Sequence, residues 1–154
     1  MNPDILAGIV KRVYNNFNMS SFSNRLKIQK FTYLMQKSGL YIGYDFSLYM
    51  RGPYCTELTK DAFQVDDFST SPPIRFSNNE MEMKFKSFLD FFRPHKDDTE
   101  WLEIASSILI FKEMYPSLGK SEIQEKVRNK NEFLTQKAPE IAAVWEDLER
   151  GGFL

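Results

Sequence analysis

The fold is decided by Asn24-Arg25-Leu26-Lys27-Ile28-Gln29-Lys30-Phe31-Thr32-Tyr33-Leu34 and, ten residues on, by Tyr44-Asp45-Phe46-Ser47-Leu48-Tyr49-Met50-Arg51-Gly52-Pro53-Tyr54. In the first stretch Ile28, Phe31, Leu34 and Met35 recur every three or four residues, which predicts a helix over about residues 24–38. Gly39 suits a left-handed helix end, with Leu40 packing back beneath it. In the second stretch the period drops to two: Tyr44, Phe46, Leu48 and Met50 alternate with their neighbours, as in a half-buried strand. Arg51-Gly52-Pro53-Tyr54 then reads as a turn, its proline pre-setting the first turn of a short helix to about Gln64. The expectation is a mainly α, compact helical domain with a short β element after its second helix.

Upstream, Asn2-Pro3-Asp4 opens a helix, and Leu6, Val10, Val13 and Phe17 extend its apolar stripe. Downstream, the Ser-, Asp- and Pro-rich residues 66–79 predict a long surface loop, of a length that suggests mobility or function. Asn78 or Asn79 caps a third long helix, with Met81, Phe85, Phe88, Leu89 and Phe92 inward and Pro94 at its end. Asp97 and Glu100 are spaced as a capping box before Trp101 to Met114, whose wide apolar perimeter marks a central, buried helix. Ser121 and Gln124 repeat that spacing before a short helix, and Pro139 begins a last one carrying Ile141, Trp145 and Leu148. Gly151-Gly152 stops it, leaving Phe153-Leu154 able to pair as a strand; the tail thus reads as winged-helix-like. The whole is one domain over residues 1–154: a basic helical half (1–65), the loop (66–79) and a second helical half (80–154).

Composition narrows the chemistry. At 154 residues the chain can bury roughly 70% of its unfolded surface. Cys55 is the only cysteine and His95 the only histidine, which excludes a disulfide scaffold, a thiolate zinc cage and any multi-histidine site; neither metal nor cofactor is expected. No stretch approaches the roughly 20 apolar residues of a membrane span, and no charged-then-apolar leader pattern is present, so a cytoplasmic protein without membrane partners is expected. Net charge is only −1, yet from Ile5 to Tyr44 every charged residue is basic, whereas Glu140, Glu146, Asp147 and Glu149 crowd the C-terminal helix. Such polarity gives two electrostatic faces.

With Ile28, Gln29, Lys30, Tyr33 and Leu34 on a helix, Phe46 and Tyr49 on a strand, Gly52-Pro53-Tyr54 in a turn, and Leu58 and Asp61 beyond it, the chain resembles the YwgA-like small helical proteins. It resembles, more distantly, the Panacea-domain antitoxins. The resemblance extends through Leu102-Glu103-Ile104-Ala105-Ser106 to the terminus from Leu148 to Leu154, while Cys55 and the 66–79 loop depart from the pattern. It implies a mainly helical, non-enzymatic domain whose relatives neutralise partner proteins or serve as adaptors, the partner being a toxin or a protease substrate.

The residues themselves leave two binding readings open. Arg25, Gln29, Lys30, Tyr33, Tyr49, Arg51, Gly52, Pro53 and Tyr54 could form a polar groove for a partner's backbone or carboxylates. In the bland version Gln29 and Lys30 merely tie a neighbouring loop's carbonyls. Alternatively Lys11, Arg12, Arg25, Lys27 and Lys30, interleaved with aromatics, could neutralise nucleic-acid phosphates. The acidic last helix argues against groove entry by the tail. For catalysis, Cys55 and His95 would have to meet in space, and Asp66-Asp67 and Asp97-Asp98 read as caps or solvated loop; Leu118-Gly119-Lys120-Ser121 lacks the strand and glycine of a phosphate loop. The expectation is a non-catalytic protein-binding regulatory module of antitoxin or adaptor type.

Overall fold

The computed structural model describes residues 2–154. Among these residues seven α-helices enclose one core, with a two-stranded antiparallel hairpin between the second and third. α1 (Pro3–Val10) opens on Asn2, whose side chain accepts from the Asp4 amide at 2.8 Å. It is shorter than its apolar stripe: Val13 and Phe17 are buried, but in the turns that follow, so hydrophobic spacing outruns the helix. α2 (Phe22–Lys37), capped by Ser21, begins two residues before the expected start and is followed by Gly39 with φ +107°, the left-handed position that a glycine takes without steric cost.

The alternation at 44–50 overstates the strand. β1 is only Ser47–Tyr49, and it pairs with β2 (Gly52–Tyr54) in the register Leu48 opposite Pro53. The Gln36 carboxamide explains the shortfall. Its Oε1 accepts from the amides of Ile42 and Tyr44 at 3.1 Å, and its Nε2 donates to the Tyr44 carbonyl at 2.8 Å. Residues 42–44 thus bond to a side chain instead of a ladder. Gly52-Pro53-Tyr54 is therefore the second strand and not a turn opening a helix; proline fits because a hairpin this short leaves its missing N–H off the ladder. α3 (Thr56–Phe63) begins only after Cys55.

Residues 66–78 form a pinned strap. A 3₁₀ turn at Phe68–Thr70 buries Phe68 against Phe17, and the Ile74 amide donates to the Gly8 carbonyl at 3.0 Å. Arg12 and Glu82, paired through two 2.6 Å bonds, clamp the far end: Arg12 donates to the Ile74 carbonyl, and Glu82 accepts from the Phe76 amide. The Arg12 guanidinium holds the Glu82 carboxyl at about 2, well below the carboxylate range.

α4 (Asn79–Phe92) is capped by Asn78 as expected. α5 (Thr99–Met114) is the central helix, with every residue from Trp101 to Phe111 buried. Its cap is Asp98, accepting from the Trp101 amide at 3.0 Å; the expected Asp97–Glu100 capping box does not form, because Asp97 pairs with Lys27 and Lys96 and Glu100 with Lys137. α6 (Lys120–Arg128) starts behind Gly119 without a side-chain cap, so the Ser121–Gln124 spacing is not a capping box either. α7 (Ala138–Arg150) packs Ile141, Val144, Trp145 and Leu148 inward. The strand expected at the end of the tail does not form: Phe153-Leu154 is unpaired as a strand, and Phe153 packs against Phe91 at 5.1 Å between ring centroids.

Candidate functional site

α2, the hairpin and α5 meet around a small polar core, and a groove opens above it. Gln29, 2% exposed, donates from Nε2 to the Cys55 carbonyl at 2.8 Å and accepts the Cys55 amide on Oε1 at 2.9 Å, reproducing a backbone ladder at the strand-to-helix junction. Its Nε2 also donates to the Thr59 hydroxyl, which bonds the Tyr54 hydroxyl. Lys30, equally buried, donates to the Pro53 carbonyl at 2.7 Å. Burial pulls its amine down to about 7, helped by Lys130 and Arg51 and opposed by Glu103. Both side chains thus tie backbone carbonyls, one of the two parts left open for them, and both also line the groove.

Glu103, on the inner face of α5, collects the remaining donors. It accepts from Lys130 at 3.1 Å, Asn131 at 3.2 Å and Arg51 at 3.3 Å. Lys130 and Asn131 also donate to the Met50 carbonyl, at 2.7 and 3.2 Å, so the connection after α6 holds the hairpin tip. A carboxylate inside the apolar run 101–111 carried the signal that it must be paired; nothing in the sequence pointed to Lys130 and Asn131 as its partners.

The groove has a volume of about 350 Å³. Seven of the nine residues expected in a binding site line it: Arg25, Gln29, Lys30, Tyr49, Arg51, Gly52 and Tyr54. Pro53 sits beneath, contributing only its carbonyl. Tyr33 does not belong: it packs on Phe46 at 5.2 Å and lines a separate hollow beside Glu113. Phe22, Leu26, Met50 and Thr59 complete the wall, and sequence spacing gave no reason to place them there. Phe22 is 56%, Tyr49 52% and Met50 75% exposed, an unusual amount of large apolar surface at one rim.

The cations expected to meet phosphates are engaged within the fold. Arg12 is locked to Glu82, Lys11 donates to the Ser69 carbonyl at 2.7 Å, Lys27 pairs with Asp97 at 3.1 Å, and Lys30 is buried. Arg25 donates to the Met19 carbonyl at 2.9 Å and keeps its charge unpaired among the described residues. Cys55 is buried against Gln29, whereas the His95 ring stacks on Trp101 at 3.8 Å, so each has its own neighbourhood. Among the described residues no cluster of three His, Cys, Asp or Glu could hold a metal, and no helix is long and apolar enough to cross a membrane.

Compared with known proteins, the chain matches no family model, no curated protein and no solved structure. Its class is thus defined by its own architecture: a mainly helical domain with a hairpin held over the middle of its second helix.

Proposed function

We propose that this chain is a non-catalytic, protein-binding regulatory module of antitoxin or adaptor kind, and that its partner docks in the groove between α2 and the hairpin. The carrying observation is the groove rim, where Phe22, Tyr49 and Met50 stand exposed beside Arg25 and Arg51 above polar groups already bonded to backbone. Aromatic, methionine and arginine side chains around a pocket are the composition of protein-binding hot spots. The two lining arginines, Arg25 and Arg51, with no lining carboxylate, favour a partner surface carrying acids beside its apolar side chains. Binding there acts by covering the partner's working surface; bond making has no place in it. A free, buried Cys55 suits a reducing, cytoplasmic setting. Phosphate binding by Lys11, Arg12, Arg25, Lys27 and Lys30 draws less support, since four of the five are buried or already bonded to the strap or to Asp97.

The test is a pull-down from the native host with the wild-type chain and with Phe22→Asp and Met50→Asp, followed by titration of the purified partner. Both substitutions are on exposed side chains and leave thermal stability within about 0.5 kcal/mol of wild type. A partner that binds the purified wild-type chain and loses at least about tenfold in affinity to either variant supports the reading. A partner indifferent to both variants, or a chain that binds only nucleic acid with steep salt dependence, overturns it.

A further inference from the structure

The groove does not end at the hairpin tip. A second concavity, about 270 Å³, lies beyond Arg51 and shares Phe22, Leu26 and Arg51 with the first, adding Phe133, Thr99 and Glu100. The Arg51 guanidinium lies over the Phe22 ring, 5.5 Å from its centroid, so this pair is the ridge between the two hollows. Exposed apolar side chains stand on both sides of the ridge: Tyr49 and Met50 at the first hollow, and Phe133, 50% exposed, at the second.

Charge is divided unequally between them. The first hollow has Arg25, Lys30 and Arg51 and no carboxylate. The second has Glu100 and Glu103, both occupied: Glu100 by Lys137 at 3.0 Å, Glu103 by its three donors. Lys130, its side chain 5% exposed, already answers the single charge of Glu103. Arg51, 51% exposed and held by one 3.3 Å contact, is the surplus cation, and Arg25 beside it bonds only a neutral carbonyl.

We infer, on the reading that this groove docks a protein, that the segment it takes is bipartite: two apolar side chains, one in each hollow, with an aspartate or glutamate beside the first, over Arg51 and Arg25. The ridge requires the two anchors to be separated, and the first hollow adds Arg25, bonded only to a neutral carbonyl, to the Arg51 that both hollows share. A free carboxylate there completes a charge-assisted bond without displacing an internal partner.

Selection of random twelve-residue peptides against the wild-type chain tests this, keeping only peptides whose binding is lost on Phe22→Asp. The expected survivors carry two apolar positions separated by a few residues and an acid next to one of them. Against Arg51→Glu, those peptides weaken at least tenfold and the acidic position is replaced by lysine or arginine. Because a glutamate so near Glu103 can loosen the hairpin, Arg51→Gln is run beside it, and there the acid preference disappears while apolar selection remains. Groove-dependent peptides with a single apolar anchor, or with no acidic position, overturn the inference and leave the docking reading standing. A selection yielding no groove-dependent peptide overturns both.

Discussion

At the scale of single residues, Lys30 is the side chain under most tension. Its amine has one hydrogen bond, to the Pro53 carbonyl, and faces two cations, Lys130 and Arg51, against one carboxylate, Glu103. An unfolded lysine titrates at about 10.4; in the fold burial brings this one to about 7. Below the folded value both states hold the proton, and the cost of burying the charge is fully present. Between the two values the unfolded chain holds a proton that the folded one has released, so stability rises with pH from about 7 toward 10. Lys130, also lowered by burial, adds to the same slope. Urea midpoints measured from pH 6 to pH 9 are expected to climb above pH 7, and Lys30→Met flattens that climb whatever its effect on baseline stability. A midpoint falling over this range in the wild type would remove the account. Gln29 and Lys30 were legible in sequence, because polar groups among apolar neighbours must find backbone partners. Arg51's role was not, since it depends on Glu103, 52 residues away.

The hairpin shows what local pattern carries and what it omits. Alternation from Tyr44 to Met50 correctly announced a β element but could not show that a carboxamide from α2 replaces the ladder over residues 42–44. Likewise Gly52-Pro53 has the composition of a turn, and only the packing of β2 against α2 and α5 makes it a strand. Gly52 is where that packing is tightest. Its φ is +99°, and an added Cβ would lie 2.8 Å from Ser107 Oγ and 3.3 Å from Lys30 Nζ. Gly52→Ala is therefore expected to cost about 1–3 kcal/mol from backbone strain, with the contact adding to it. Among the described residues the buried Ser107 hydroxyl has no hydrogen-bond partner, so Ser107→Ala alone changes little or stabilises. In combination it restores the contact part of the loss and leaves the strain. Denaturant titration of the two single variants and the double separates the parts; a Gly52→Ala chain as stable as wild type would contradict both.

For the molecule as a whole, the sequence suggested a basic helical half, a long loop and a second helical half whose acids crowd the last helix, and charge is distributed that way. Packing is not. α5 touches α2 and β2 and also α6 and α7, and the strap at 66–78 is bonded to α1 through Gly8 and to the turn after it through Arg12. Periodicity assigned α5 its buried perimeter, but hydrophobicity names no partner; that the same helix serves both halves follows only from the three-dimensional arrangement. A core so shared should melt once. Ile108, fully buried on α5, is the place to ask, because Ile108→Ala is expected to cost about 2–5 kcal/mol. Trp101 and Trp145 both lie in the second half, so their fluorescence reports that half while far-ultraviolet circular dichroism reports every helix. The two signals are expected to coincide in the wild type and to shift together in the variant. Hydrogen exchange should show the amides of α1 and α2 gaining the same acceleration as those of α7. If α1 and α2 keep their wild-type protection while α7 loses its own, the halves unfold separately and α5 is a boundary, not the centre.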